Sequence, residues 1–452
     1  MKPWGILILF VALGGLAGNG SAAENKRENP APFTMETVVV TATRQAQKAS
    51  SVPAHVTVIT ESDIKDATAG NIPDLLRTQA GLHITDITGN RRNFMVDVRG
   101  FGETAALNTL VLVDGRRINQ ADLSGTDWTL IPLDRVRRIE IIRGSRGAVL
   151  YGDNASGGVI NIITKHGETF QTGAALQAGS YNTLKSSAYV SGSQDRLSFA
   201  LSGSYLNSDG YRDNSGTEAS DAGATLSYIV GDRLNLNFST GYHQDDTSLP
   251  GAIKRSDFAA GISRTDSLSP KDFADVKDHY FKGGFEIFFL TDSMLKMDLS
   301  FRNRTAFAFS TFSGGNFKGD TEIDTLSASP QLILNEKVFG FKNHLTLGFD
   351  VADTTEDIIN RSLYFGSSTV GSFKLEKKTD GYYLHDEMNL TDTLAISGGY
   401  RHDQARFRFR PSAPDSVTME QDLFTAGINY NYYKNSHVYV SFSKSFRYPV
   451  LD

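Results

Sequence analysis

No cysteine occurs among the 452 residues. That absence excludes disulfide frameworks, thiolate metal sites and cysteine nucleophiles, and with them a lipid-modified N-terminal cysteine. Positive charge is also scarce: 45 Lys and Arg stand against 51 Asp and Glu, a formal net charge of −6, which argues against a general nucleic-acid binder. Long apolar runs are missing after the N-terminus. A mean hydropathy of −0.27 does not fit a bundle of membrane helices, each of which needs about 20 apolar residues. The nine His are scattered, and neither HExxH, GxSxG nor a complete glycine-rich phosphate loop is present, so there is no positive sign of an enzyme. What is abundant is glycine, at 42 residues, and aromatic side chains, at 10%. This composition is neither collagen-like nor that of a disordered chain.

The first 23 residues differ from everything after them. Lys2 precedes an apolar stretch from Trp4 to Leu13, and Ser21, Ala22 and Ala23 are small, as in a cleaved secretory signal peptide. Export without cysteine fits the Gram-negative cell envelope. Residues 24–49 are polar, contain Pro30 and Pro32, and read as a flexible leader. Residues 50–166 mix strand-like runs (56–60, 94–99, 109–113, 138–143, 159–164) with helical segments at 62–69 and 72–79. Ser62 is the expected N-cap of the first helix, and the whole is an ordinary domain size.

From residue 167 the texture changes to strict alternation. Leu345, Leu347, Phe349 and Val351 are interleaved with Thr346, Gly348 and Asp350; Leu295, Met297, Leu299 and Phe301 alternate with Lys296, Asp298, Ser300 and Arg302. Period two with one apolar and one polar face marks half-buried strands. About 13 such segments run from 170–179 to 436–446. Tight turns are expected on one rim and longer loops on the other, at 209–218, 247–277, 310–321, 357–379 and 410–418. That asymmetry belongs to outer-membrane β-barrels. Lipid offers no hydrogen bonds, so such a sheet closes to bury its edges. An odd strand count ending near residue 452 reads as an incomplete barrel, a C-terminally truncated chain.

Four segments carry a family resemblance. Glu36, Thr37, Val38, Val39, Val40, Thr41, Ala42 and Thr43, ending at Arg44, resemble a TonB box. Residues 111–117 (VLVDGRR) resemble a central plug strand, 134–165 resemble the end of a plug domain, and 445–449 (SFRYP) resemble a motif within the barrel. The whole chain resembles a TonB-dependent outer-membrane receptor of the siderophore/cobalamin type. The resemblance implies an all-β transmembrane barrel, of about 22 strands in the family, with an N-terminal α/β plug domain inside its lumen. It also implies an integral outer-membrane location with a periplasmic N-terminus, TonB and its inner-membrane energising complex as partner, and a metal chelate as cargo. A ferric siderophore is the leading cargo, with cobalamin or haem as alternatives. A passive porin or adhesin is the reading from another class, disfavoured because an open pore needs neither box nor plug.

Residues 36–43 are β-branched and extended in character, with no evident partner strand, which suits strand addition to a second protein. Val38–Val40 also reads as the first strand of the plug. By resemblance, plug apices place Arg91, Arg92, Asn93, Glu103, Asn119 and Gln120 as ligand candidates: the arginines to draw an anion, the amides to hydrogen-bond it. Arg99, Arg138 and Arg143, with Arg135 and Arg137, are candidates to meet barrel acids such as Glu286 or Asp298, because charge in a lumen must pair or meet water. Phe307, Phe309, Phe312 and Phe317 are candidates either to stack on a large ligand or to form an interfacial girdle. Asp245, Asp246, Asp353, Glu356 and Asp357 offer oxygens for Ca²⁺ or form a solvated rim. No resident cofactor or transition-metal site is expected.

Overall fold

The computed structural model describes residues 38–39, 41, 44, 47–87, 93–167, 169–290, 292–411, 415–433 and 436–451. The segment read as a signal peptide, most of the segment read as a leader and the ligand candidates Arg91 and Arg92 lie outside the described residues, as do Glu36, Thr37, Val40, Ala42 and Thr43 of the segment that resembles a TonB box.

Two short strands open the chain, β1 (Val38–Val39) and β2 (Gln47–Lys48), paired antiparallel. The box segment therefore has a partner strand, contrary to expectation, and Val39 is fully buried against Val52, Ala54 and Ile142. The plug that follows contains β3 (His55–Ile59), β4 (Leu82–Asp86), β5 (Phe94–Val98), β6 (Thr109–Val113), β7 (Arg116–Arg117), β8 (Val136–Arg143) and β9 (Gly158–Thr164). Its main sheet has the order β3-β8-β9-β6-β7, with β6 and β9 parallel. All five residues of β6 are buried, as a strand covered on both faces requires. Gly158 permits the β8–β9 approach: a Cβ there would lie 2.4 Å from the Ile142 carbonyl oxygen.

Helices α1 (Glu61–Asp66) and α2 (Ile72–Leu76) cover one face. The N-cap of α1 is Thr60, not Ser62. Its hydroxyl accepts from the Asp63 N–H at 3.3 Å, and the Asp63 carboxylate accepts from the Thr60 N–H at 2.8 Å. This reciprocal box satisfies two of the free N–H groups at the helix start. Asn71 caps α2 by a single bond, accepting from Asp74 N–H at 2.8 Å, with Pro73 in the first turn. Ile64, Ile72, Leu75 and Leu76 pack with Ile139, Ile141, Ile160 and Ile162 into the plug core. A third helix, α3 (Ala148–Tyr151), lies between β8 and β9.

The remaining strands are β10 (Gln171–Gly179), β11 (Thr183–Gln194), β12 (Leu197–Ser208), β13 (Thr217–Val230), β14 (Leu234–Ser248), β15 (Phe273–Phe289), β16 (Ser293–Phe312), β17 (Gly315–Leu334), β18 (Lys337–Val338), β19 (Phe341–Tyr364), β20 (Ser367–Asn389), β21 (Leu394–Arg410), β22 (Ser416–Tyr433) and β23 (Ser436–Ser443). They form one antiparallel meander in chain order, with β18 alone off the path as a small hairpin on β19. Thirteen strands along that path agree with the alternation in the sequence. No described helix is long and apolar enough to cross a membrane.

In β22, Phe424, Ile428 and Tyr430 are about half exposed while Leu423, Thr425 and Asn429 are buried. Apolar groups face out and the other face looks inward, as a lipid-embedded wall demands. Two expected loops are not loops. Residues 310–321 and 357–379 lie mostly within β16, β17, β19 and β20, which meet at turns of two residues, 313–314 and 365–366. Strand β19 has 24 residues, roughly 80 Å of chain, whereas a span needs only about 10. The overhang therefore continues as paired hairpin beyond the apolar belt. Phe307, Phe309 and Phe312 sit on β16 within such a hairpin; Phe273 lies 5.6 Å from Phe307 and 5.8 Å from Phe309, centroid to centroid.

Candidate functional site

The plug and the barrel wall belong to one compact unit, and the box segment ends between them. Thr41 is fully buried. Its N–H and hydroxyl both donate to Glu140 Oε2 on β8, at 2.8 and 2.6 Å, and its carbonyl accepts from the Tyr151 hydroxyl at 3.1 Å. Three residues on, Arg44 crosses to the wall. Its guanidinium donates to both carboxylate oxygens of Asp350, at 3.3 and 3.2 Å, to the Tyr383 hydroxyl at 2.6 Å and to the Leu150 carbonyl. It also lies over the rings of Tyr151 and Tyr383, 4.6 and 4.8 Å from their centroids. Burial opposes the charge on Arg44, but Asp350, with Tyr383 and Tyr151, outweighs burial and holds its pKa above the ordinary value. Asp350 is shared with Arg401 at 2.8 Å, and Arg401 reaches Asp403 at 2.6 Å. Gly152, at φ +75°, brings the turn after α3 against that pair; a Cβ there would lie 3.0 Å from both Arg401 Nη2 and Asp403 Oδ2.

Beside this network, between β6–β7 of the plug and β15–β21 of the wall, lies a cavity of about 450 Å³. Ten Lys and Arg side chains line it against five Asp. Several are already paired. Arg302 holds Asp278 at 2.5 Å and donates to the Ile118 carbonyl at 3.1 Å; Lys282 meets Asp298 at 3.2 Å and the Asp114 carbonyl at 2.9 Å; Lys377 meets Asp153 at 2.9 Å. Others keep donors to spare. Among the described residues, Arg304 Nε, Arg116 Nη1 and Gln120 Nε2 are buried without a hydrogen-bond partner. Burial pulls the Arg116 pKa down to about 10, against Tyr280 and Asp278, which favour its charge, so it stays cationic at neutral pH. Unmet buried donors cost about 1–3 kcal/mol each. A polar anion with several acceptor oxygens relieves that cost, and the excess of cations attracts it.

Of the sequence-derived ligand candidates, Gln120 lines this cavity. Asn119 borders it too, but its amide is committed to the plug backbone: Oδ1 accepts from Val111 N–H at 2.7 Å and Nδ2 donates to the Thr109 carbonyl at 2.9 Å. Asn93 and Glu103 are exposed on the plug. Three of the arginines proposed to meet barrel acids do something else, while Arg135 lies against Gly223 of the wall. Arg138 pairs with Glu140 at 2.8 Å, and Arg143 donates to the Ala80 carbonyl and to Thr57 Oγ1 at 2.6 Å. Arg99 packs against Gly144. The contacts of these three are all within the plug; Arg138 and Arg143 lie on β8, a central strand with neighbours on both sides. Glu286 and Asp298 are held by Lys296 and Lys282 of the wall itself.

The bridges across the seam come from residues that carried no expectation. Besides Arg302 and Lys282 they include Arg44, Lys377 on Asp153, and Arg146, which donates to Ser397 at 2.8 Å. The SFRYP segment also joins them: it leaves the wall, and Tyr448 N–H donates to Asp153 Oδ1 at 2.9 Å while its hydroxyl donates to the Asp403 carbonyl at 3.0 Å. The available signal was charge on inward positions of the alternating strands, as at Asp350, Lys377, Arg401 and Asp403.

An antiparallel wall, apolar outside and charged inside, packed on an α/β domain with its own core, defines the plugged type of outer-membrane β-barrel. Comparison with known proteins makes the class specific. The chain belongs to the TonB-dependent receptor family: residues 168–452 match the family's β-barrel (TonB dependent receptor-like, beta-barrel) and residues 48–159 match the TonB-dependent receptor plug domain. The vitamin B12 transporter BtuB of Vibrio cholerae serotype O1 is 48% identical over 144 residues, which cover 32% of this chain and 23% of that protein. Among solved structures, the unliganded ferric citrate transporter FecA superposes with a TM-score of 0.78 at 18% identity, covering 87% of this chain and 63% of that one. The ferric yersiniabactin uptake receptor FyuA of Yersinia pestis gives 0.71 at 19%, covering 86% and 64%. The chain therefore spans under two thirds of the length of these relatives, and at such identities the structural likeness is one of fold.

Proposed function

We propose that this protein serves energised uptake of a scarce, anionic metal chelate across the outer membrane, with a ferric siderophore as the preferred cargo. The observation that carries the reading is the cation-rich cavity between plug and wall, with buried donors of Arg304, Arg116 and Gln120 unmet inside it. Siderophore complexes rich in carboxylate or catecholate oxygen match that chemistry. A second reading, cobalamin, is favoured by the 48% identity with the vitamin B12 transporter over 144 residues. In either case the box segment is the handle. Backbone pairing of β1 is exchangeable for pairing with TonB by strand addition, and pulling then strips Thr41 and Arg44 from their partners. The N-terminus faces the periplasm in this scheme.

The test of cargo is binding to the full-length receptor by fluorescence quenching with a panel of ferric siderophores, cobalamin and haem. Tight binding of a ferric siderophore supports the first reading; tight binding of cobalamin alone replaces it with the second. The test of coupling is Val39→Pro, which removes a backbone donor. Uptake is expected to fall to background with binding retained, and undiminished uptake would refute the handle.

A further inference from the structure

Away from the cavity, a second polar cluster joins plug and wall. Asp127 caps the short plug turn Trp128–Leu130, its carboxylate accepting from Thr129 N–H at 3.1 Å. His243 and Asp245 stand two apart on β14 and so share its inward face; their exposures are 3% and 0%. Asp221, directly opposite His243 in the ladder with β13, places Oδ1 2.8 Å from His243 Nδ1. On the other side of the ring, Nε2 lies 2.9 Å from Asp245 Oδ2 and 3.2 Å from Thr129 Oγ1. One ligand atom each from Asp127, His243 and Asp245 fall within 4.8 Å of one another. None of these residues lines the cavity described above.

A neutral imidazole has one donor nitrogen and one acceptor nitrogen. With the Nδ1 proton given to Asp221, the Nε2 lone pair faces a carboxylate oxygen at hydrogen-bond distance. Two lone pairs so placed require a cation between them, either a proton or a metal ion. A proton joins only His243 to Asp245. A metal ion can also take a third ligand, the plug's Asp127, one of whose carboxylate oxygens lies within 4.8 Å of both. Metal–nitrogen and metal–oxygen bonds near 2.0–2.2 Å in a tetrahedral site place two ligand atoms about 3.3–3.6 Å apart, so an ion seats here once the 2.9 Å separation widens by about half an ångström. The Asp221 contact is the outer carboxylate that ligating histidines almost always have, fixing tautomer and ring orientation.

We propose that Asp127, His243 and Asp245 bind one divalent first-row transition ion, of which Zn²⁺ is the type, and that this ion staples the plug to β14. A nitrogen and two oxygens suit such an ion better than Ca²⁺, which takes six to eight oxygens. The site is separate from any cargo.

The test uses full-length receptor, stripped with chelator and titrated with Co²⁺ by visible absorption, with Zn²⁺ as competitor. One Co²⁺ per chain, displaced by Zn²⁺, is expected. Asp221→Asn should weaken binding on the order of 10–100-fold, and His243→Ala should abolish it. Asp127→Asn is the sharpest variant, because it leaves the wall's own contacts intact and should still cost at least about 10-fold. Heat-modifiable migration on gels verifies that each variant is folded. If stripped wild-type receptor binds no Co²⁺ the proposal falls, whatever the variants do. If Asp127→Asn binds as wild type, the staple falls. Neither result depends on which chelate is the cargo.

Discussion

The plug meets the wall along two flanks of opposite character. Toward β15–β21 the contact is charged and holds the 450 Å³ cavity. Toward β22 it is apolar: Leu110, Leu112, Ala148 and Val149 pack with Leu423 into a cluster that Phe446 joins, and Phe407 and Tyr448 form a second patch nearby. Apolar surface is costly to expose, at about 25 cal/mol per Å², whereas charged contacts exchange readily for water. The apolar flank is therefore the costlier of the two to part from the wall.

The variant expected to break this contrast most severely is Leu423→Asp. An unpaired carboxylate among those side chains costs about 3–5 kcal/mol and should render the plug of the full-length receptor protease-sensitive; unchanged protection would mean the apolar flank is not the seat. Asp350→Ala acts on the other flank. It removes the carboxylate that Arg44 and Arg401 share, and because Asp350 keeps 20% exposure and both arginines retain other partners the expected cost is only about 1–2 kcal/mol. Hydrogen exchange at the Thr41 amide, held by Glu140, should accelerate while the thermal transition of the barrel hardly moves. Arg304→Gln keeps a polar group but removes charge from the cavity. Chelate affinity is expected to fall about 10-fold, roughly the 1.4 kcal/mol that such a factor represents, with a shallower salt dependence; equal affinity would exclude the cavity from cargo binding. Ser327→Ala loses only the 2.8 Å contact with Ser300, and its effect on stability should stay within about 0.5 kcal/mol.

The alternation in the sequence made the wall legible, because each residue on a lipid-embedded strand has one of two environments. In β19, Leu347, Phe349 and Val351 face outward and Thr346 is buried, as their spacing implies. The signal failed where lipid ends. Ser367, Ser368 and Thr369 are all exposed although they lie in β20; with water on both faces no alternation is required, so polar strand reads as loop. The seam was illegible for another reason. Arg44 and Asp350 are 306 positions apart, and which inward acid meets which plug base depends on how the plug is turned within the lumen. No local pattern encodes that angle. Arg138 and Arg143 show the converse, since charge on a central plug strand is neutralised by its own domain before it can reach the wall.

Strand β19 has a consequence of its own. Asp350, which grips the end of the box segment, and Tyr364, at the tip of the overhanging hairpin, belong to one unbroken ladder that pairs with β20 from Lys342 to Tyr364. Fourteen residues of stiff ribbon, about 46 Å, separate them. A large molecule that tilts the tip therefore has a lever whose other end sits beside Arg44, at the depth of the outward-facing Phe349 and Val351.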